Sequence, residues 1–180
     1  SYLKKKDLRK KEKKFNLSAG FDKKNYLVSI LRTIPKEKMF NKDYPYKSSE
    51  SKTMRMAFKT LAKKIKKRFD PKLVVEIGSN DGAFLFNFDK KKAVGVEPCK
   101  NLAKKTKKKK FKTFSEYWDI NLSNKISKIG KADVIYSANT LSHIENLENV
   151  FKAINILLSE NGVLIIEDPS LLKCLKNNAY

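Results

Sequence analysis

Three acids and two glycines stand close together in this sequence. Glu76 sits near the end of the apolar run Leu73 to Ile77, Gly78 and Gly82 bracket a loop of Ser79, Asn80 and Asp81, and Glu97 follows 19 positions after Gly78. Glycines so spaced turn a strand tightly into the next segment. A dinucleotide site built this way receives a pyrophosphate at a helix N-terminus and uses a third glycine, as in G-x-G-x-x-G. Here the third glycine is missing, and Glu76 and Asp81 would repel a pyrophosphate. The same carboxylates suit a ligand bearing an ammonium and a sulfonium. An acid about 20 residues beyond the glycine turn is where a carboxylate grips a ribose diol, which is the place of Glu97.

These residues need a scaffold that brings strand ends together. Leu73–Ile77 reads as a buried parallel strand and leads through the glycine turn into an expected helix at Ala83 to Phe88. Further strands are expected over Ala93–Glu97, Phe111–Phe114, Asp133–Ser137 and Val163–Ile166, the last closing in Glu167 and Asp168. Helices are expected over Ser51–Phe69, Asn101–Lys110 and Asn149–Ser159, the last stopped by Asn161 and Gly162. Met54, Phe58, Leu61, Ile65 and Phe69 recur at helical spacing and read as core. The alternation predicts an α/β fold, a Rossmann-like parallel sheet of about five strands with flanking helices and right-handed crossovers. Ahead of it, Tyr26–Phe40 holds a short strand before Pro35 and a helical turn at Lys36–Met39, and Asp43–Ser51 is rich in turn formers. Residues 1–25 carry Lys4, Lys5, Lys6, Arg9, Lys10, Lys11, Lys13 and Lys14 and read as a solvated arm. The expected division is a basic arm and lead-in over 1–50 and a ligand-binding domain over 51–180.

Ligands in such sheets lie beyond the carboxyl ends of the strands, where Glu76, Gly78, Glu97, Ser115, Asn139 and Asp168 all fall. A nucleoside carrying positive charge fits the acids there, and S-adenosylmethionine is such a ligand. Phe114 could stack on its adenine, although Tyr117 and Trp118 beside it could equally be packing. His143, the single histidine, is open to two readings: a general base, or a structural polar group early in a short helix. Cys99 reads as a small buried filler. With Cys174 it makes no metal spacing or disulfide framework, which together with the lack of an apolar run near 18 residues predicts a cytosolic protein without a membrane span.

The formal charge of +22 raises nucleic acid as a partner. Against this, only Arg9, Arg32, Arg55 and Arg68 among the 41 basic residues are arginine, the better fork for phosphates and bases. A lysine-coated solvated surface is the favoured reading, with nucleic acid kept as the alternative.

With EIGSNDG, GVEPCKNLA, ANTLSHI, GVLIIEDPSL and the leading DYPYKSS in view, the chain resembles the class I S-adenosylmethionine-dependent methyltransferases. Among them it is similar to the C-methyltransferases of nucleotide-linked keto-deoxysugars, over roughly Pro35 to Tyr180. The resemblance implies S-adenosylmethionine as cofactor and a small-molecule substrate. It implies that Gly78, Ser79, Asn80, Asp81 and Gly82 hold the methionine end, that Glu97 grips the ribose and that Asn139 lies under the sulfonium. Of the YxYxSS tyrosines it implies that Tyr46, ahead of Tyr44, faces the reacting carbon. Two departures stand out. The cysteine-rich zinc module that precedes YxYxSS in the family has no cysteine here, and Tyr180 falls where the family's Tyr-Asp pair and acid-base cluster would begin. The expectation is therefore an incomplete seven-stranded fold in a fragment or shortened relative. Two rival readings are an RNA or DNA methyltransferase, against which ANTL stands where an Asn-Pro-Pro-Tyr motif would follow strand four, and a non-catalytic cofactor-binding module.

Overall fold

Strands Val74–Ile77, apolar but for Glu76, and Ala93–Val96 are buried at every position, as strands of a sheet covered on both faces are. A computed structural model describes residues 5–11 and 14–177 of the chain. Among the described residues thirteen α-helices and β-strands follow in order, with four 3₁₀ turns between or before them. The first three are β1 (Ala19–Phe21), β2 (Val28–Ile30) and α1 (Lys36–Met39). Next come α2 (Lys52–Phe69), β3 (Val74–Ile77), β4 (Ala93–Val96), α3 (Lys100–Lys108) and β5 (Lys112–Phe114). Last are α4 (Ile120–Ser127), β6 (Ala132–Ala138), α5 (Leu147–Leu157), β7 (Leu158–Glu167) and α6 (Leu171–Asn177).

The main sheet has five strands in the order β5-β4-β3-β6-β7, each pairing parallel. The chain runs outward from β3 to β5, returns to lay β6 against the other side of β3, and continues to β7. The strand order therefore reverses between β3 and β6, where Ile77 pairs with Ser137. A crevice opens at such a point beyond the carboxyl ends. One face buries Val75, Ile77, Ile135, Trp118, Leu122, Ile126 and Leu157 under α4 and α5. The other buries Val74, Phe84, Val134 and Tyr136 under Phe58, Ala62 and Ile65 of α2. The five-stranded α/β architecture read from the sequence is thus the one observed.

Several details differ from the expectation. No α-helix opens at Ala83; a single 3₁₀ turn, Leu85–Asn87, fills that connection, because Phe84, Leu85 and Phe88 all turn into the core instead of alternating with a polar face. The last expected helix stops at Leu157 rather than Ser159, and the strand expected from Val163 begins at once, Leu158 pairing with Ala132 across an irregularity in register, so that Asn161 and Gly162 lie within the strand. Helices α4 and α6 were not expected. The short strand expected before Pro35 is β2, and it pairs antiparallel with β1 inside the expected arm; the residues of this hairpin are nearly all exposed, so the end of the arm is solvated but not structureless. Lys4, Lys13 and Tyr180 lie outside the described residues.

Candidate functional site

The loop after β3 owes its shape to its glycines. Gly78 and Gly82 have φ of +75° and +88°, left-handed values that cost other residues strain. A Cβ on Gly78 would run into the Thr140 side chain, and one on Gly82 would lie 2.5 Å from Thr106 Cγ2. Asn80 and Asn139, on opposite sides of the crevice, take left-handed φ of 49° and 48°, a conformation asparagine tolerates. The Asn139 N–H donates to the Glu167 carbonyl at 2.7 Å, which ties the segment after β6 to β7.

Glu76, Asp81 and Glu97 gather around this loop, and each is nearly wholly buried. Their situations differ. Asp81 already has partners: it accepts from Ser49 Oγ at 2.5 Å and from Ser49 N–H at 3.1 Å, and pairs with Lys105 Nζ at 3.1 Å. Glu97 accepts from the Asn80 N–H at 2.8 Å and the Cys99 N–H at 2.7 Å, one on each oxygen. Burial nonetheless holds its carboxyl above the usual range, against those two bonds. Glu76 is the extreme case. Burial, then the neighbouring Glu97, pushes its carboxyl well above the ordinary value, and the Leu85 N–H only partly offsets this. Its Oε2 has no hydrogen-bond partner, and neither has the buried Ser79 Oγ. No ion pair engages Glu76 or Glu97 among the described residues. Two buried carboxylates without a counter-ion and two unmet polar atoms beside a left-handed glycine loop are a complement for a cationic, hydroxyl-bearing ligand. The residues present therefore fit S-adenosylmethionine, on the strength of Glu76 and Glu97 more than of Asp81. Among the described residues no cluster of His, Cys, Asp and Glu is arranged to hold a metal.

The lead-in segment arches over the same edge of the sheet. Asn80 Nδ2 donates to the Tyr46 carbonyl at 3.3 Å, and Asn80 Oδ1 accepts from the Ser48 N–H at 3.0 Å. Asn101 Nδ2, at the start of α3, donates to the Tyr44 carbonyl at 2.7 Å, and Tyr117 Oη donates to the Phe40 carbonyl at 2.8 Å. Tyr46 is thereby held at the loop by its backbone, while its ring is half exposed. His143 is exposed too, in a 3₁₀ turn after β6, with its ring 5.6 Å from that of Phe40. Both lie on the same edge, but on different contacts.

Phe114 ends β5 half-buried against the core, with Lys125 Nζ 5.3 Å from its ring centre. Trp118, open between stacking and packing in the sequence, is core: it is buried and donates to the Val150 carbonyl at 3.3 Å. Cys99 is buried, and burial pushes its thiol far up, as an inert filler requires. The sequence reading missed Ser49, Lys105 and Thr140. Thr140 follows Asn139 directly and could have been included; Ser49 and Lys105 meet Asp81 across 32 and 24 positions, with no local signal.

A family described as a methyltransferase domain matches residues 46–179. The chain is 27% identical over 172 residues to the C-methyltransferase NovU of Streptomyces niveus, spanning 92% of this chain and 41% of that protein. Among solved structures, the plantazolicin methyltransferase BpumL, in complex with a monoazolic desmethylPZN analog and SAH, matches with a TM-score of 0.56 and 17% identity over 73% of this chain and 53% of that one. DesVI of Streptomyces venezuelae matches with a TM-score of 0.52 and 14% identity over 67% of this chain and 52% of that one. These two likenesses speak to the fold. The chain spans 41% of the length of NovU and about half of each of these two structures.

Proposed function

The chain belongs to the methyltransferase domain family, and from that premise we propose that it binds S-adenosylmethionine at the Gly78–Gly82 loop and serves methyl transfer to a carbon of a small molecule. The observation that carries this is the pair of buried carboxylates, Glu76 and Glu97, left without a counter-ion beside the glycine loop. Gly78, Ser79, Asn80, Asp81 and Gly82 hold the methionine end, Glu97 the ribose diol, Phe114 the adenine side, and Asn139 the far wall at the crevice. Residues 51–180 act as the cofactor domain, with 1–50 as its lead-in.

Bound S-adenosylmethionine supplies a methyl group on positively charged sulfur. The chain's own task is then to exclude water, to fix the acceptor carbon in line and to take its proton. Tyr46 and His143 are the residues proposed to handle that proton. The substrate class we favour is a nucleotide-linked keto-deoxysugar, whose ketone acidifies the adjacent carbon; the NovU likeness and the DYPYKSS stretch support reaction at carbon. Among the described residues no helix is long and apolar enough to cross a membrane. The two free cysteines support a reducing, cytosolic setting.

Titration calorimetry tests the reading. S-adenosylmethionine and its demethylated product bind, NAD does not, and Glu97→Ala weakens the methyl donor by about tenfold or more, the equivalent of about 1.4 kcal/mol. Uptake of NAD with indifference to both sulfur ligands would overturn it. Donor binding without turnover of any keto-sugar nucleotide would leave a cofactor-binding module and remove the substrate proposal.

A further inference from the structure

A broad recess lies beside the cofactor loop rather than in the crevice, a trough of about 790 Å³ between α2 and α3. Ala83 and, from the 3₁₀ turn after β3, Phe86 and Asn87 line it. Its walls are cationic. Lys52, Arg55 and Lys59 line it from α2, at spacings of three and four that place them on one helix face over about 10 Å. Lys105 and Lys108 of α3 and the following Lys109 face them. The one carboxylate in the lining, Asp81, is taken by Lys105 and Ser49. The other five cations have no ion-pair partner among the described residues. On the far flank of α3 a second recess, of about 540 Å³, is lined by Lys100, Lys104 and Lys107, and Lys108 borders both.

We infer that this trough binds the phosphate backbone of single-stranded nucleic acid. Five like charges along two facing walls sum to a positive field that salt only partly screens, and a polyanion between the walls meets all of it. A compact diphosphate would meet two or three of them, whereas a phosphodiester chain passes all five and continues past Lys108 into the second recess. The cations are lysines but for Arg55, which makes them point charges for phosphates rather than readers of bases, so binding is independent of sequence. On the floor, Phe86 is half-buried, with Lys109 Nζ 3.9 Å from its ring centre and the Phe111 ring 5.3 Å away, so a base stacks there only when it is unpaired and Lys109 has turned to a phosphate. The trough shares only Asp81 with the cofactor loop, so strand binding does not require the cofactor.

The composition alone offers a rival, a uniform lysine coat that attracts any polyanion equally. Two triple variants separate them: Lys52→Gln with Lys59→Gln and Lys108→Gln in the trough, and Lys23→Gln with Lys24→Gln and Lys128→Gln elsewhere. All six side chains are exposed, so both variants fold, and each removes the same charge. Anisotropy of a labelled oligonucleotide of about 15 residues, followed from about 50 to 300 mM salt, is the readout. At about 0.7 per phosphate contact, five cations give a slope of log affinity on log salt near −3.5. The trough variant loses about 2 from that slope and tenfold or more in affinity at low salt, and the distant variant keeps both. Equal losses in the two variants, or none in either, would overturn the proposal. So would tighter binding of the corresponding duplex, or capture by anionic phospholipid vesicles without binding of the oligonucleotide.

Discussion

Glu76 is the residue where burial is least offset. Its carboxyl is held well above the ordinary value by burial first and by Glu97 second. The folded chain therefore keeps a proton that the unfolded chain releases. Stability is full below the unfolded carboxylate range and falls as pH rises toward the folded value, because there the folded state binds more protons. Glu76→Gln mimics the protonated form. Urea midpoints of the two proteins lie closest at acid pH, and the variant gains on the parent as pH rises toward 8. Parallel curves across that range would mean that Glu76 ionises freely. Glu76, Gly78 and Glu97 were legible from sequence because each is fixed by its own strand and turn. The role of Asp81 was not: the sequence placed it among the acids open to a cation, and the fold brings it Lys105 from α3 and Ser49 from the lead-in.

Among elements, the long amphipathic ones were readable and the short ones were not. Helix α2 was bounded almost to the residue: of its expected stripe Phe58 and Ile65 are buried, Met54 and Leu61 half-buried and Phe69, at the last turn, exposed, while Ala62 joins the core, and Ser51 caps it, accepting from the Met54 N–H at 3.2 Å. Ser51→Ala leaves that amide unmet and lowers stability by about 1 kcal/mol in urea unfolding, while Ser51→Asn keeps most of it. No change in the alanine variant would show that the cap contributes nothing. Helix α4 escaped notice because asparagine and serine interrupt it; its signals were Asp119 as the cap, accepting from the Leu122 N–H at 2.7 Å, and the pair Leu122 and Ile126 four apart. The stretch after Gly82 misled in the other direction. The glycine turn suggested a helix at Ala83, yet Phe84, Leu85 and Phe88 are core residues of a connection too short to have an outer face.

The molecule as a whole is a parallel sheet whose strand ends were predictable from alternation, carrying a lead-in whose path was not. Turn-rich sequence such as DYPYKSS says that the chain bends, not where the bend lands. It lands on the carboxyl edge. Between Phe40 and Ser49 the segment accepts from Tyr117, Asn101 and Asn80 and gives its Ser48 and Ser49 amides to Asn80 and Asp81. Those two N–H groups can exchange with heavy water only when the segment lifts or the loop opens. A ligand that stiffens residues 78–82 must therefore slow deuterium uptake some thirty positions earlier in the chain, at Ser48 and Ser49, by the same free energy with which it closes the loop. Mass spectrometry with and without S-adenosylmethionine reads this directly, and protection confined to the loop itself would mean that the two segments open independently.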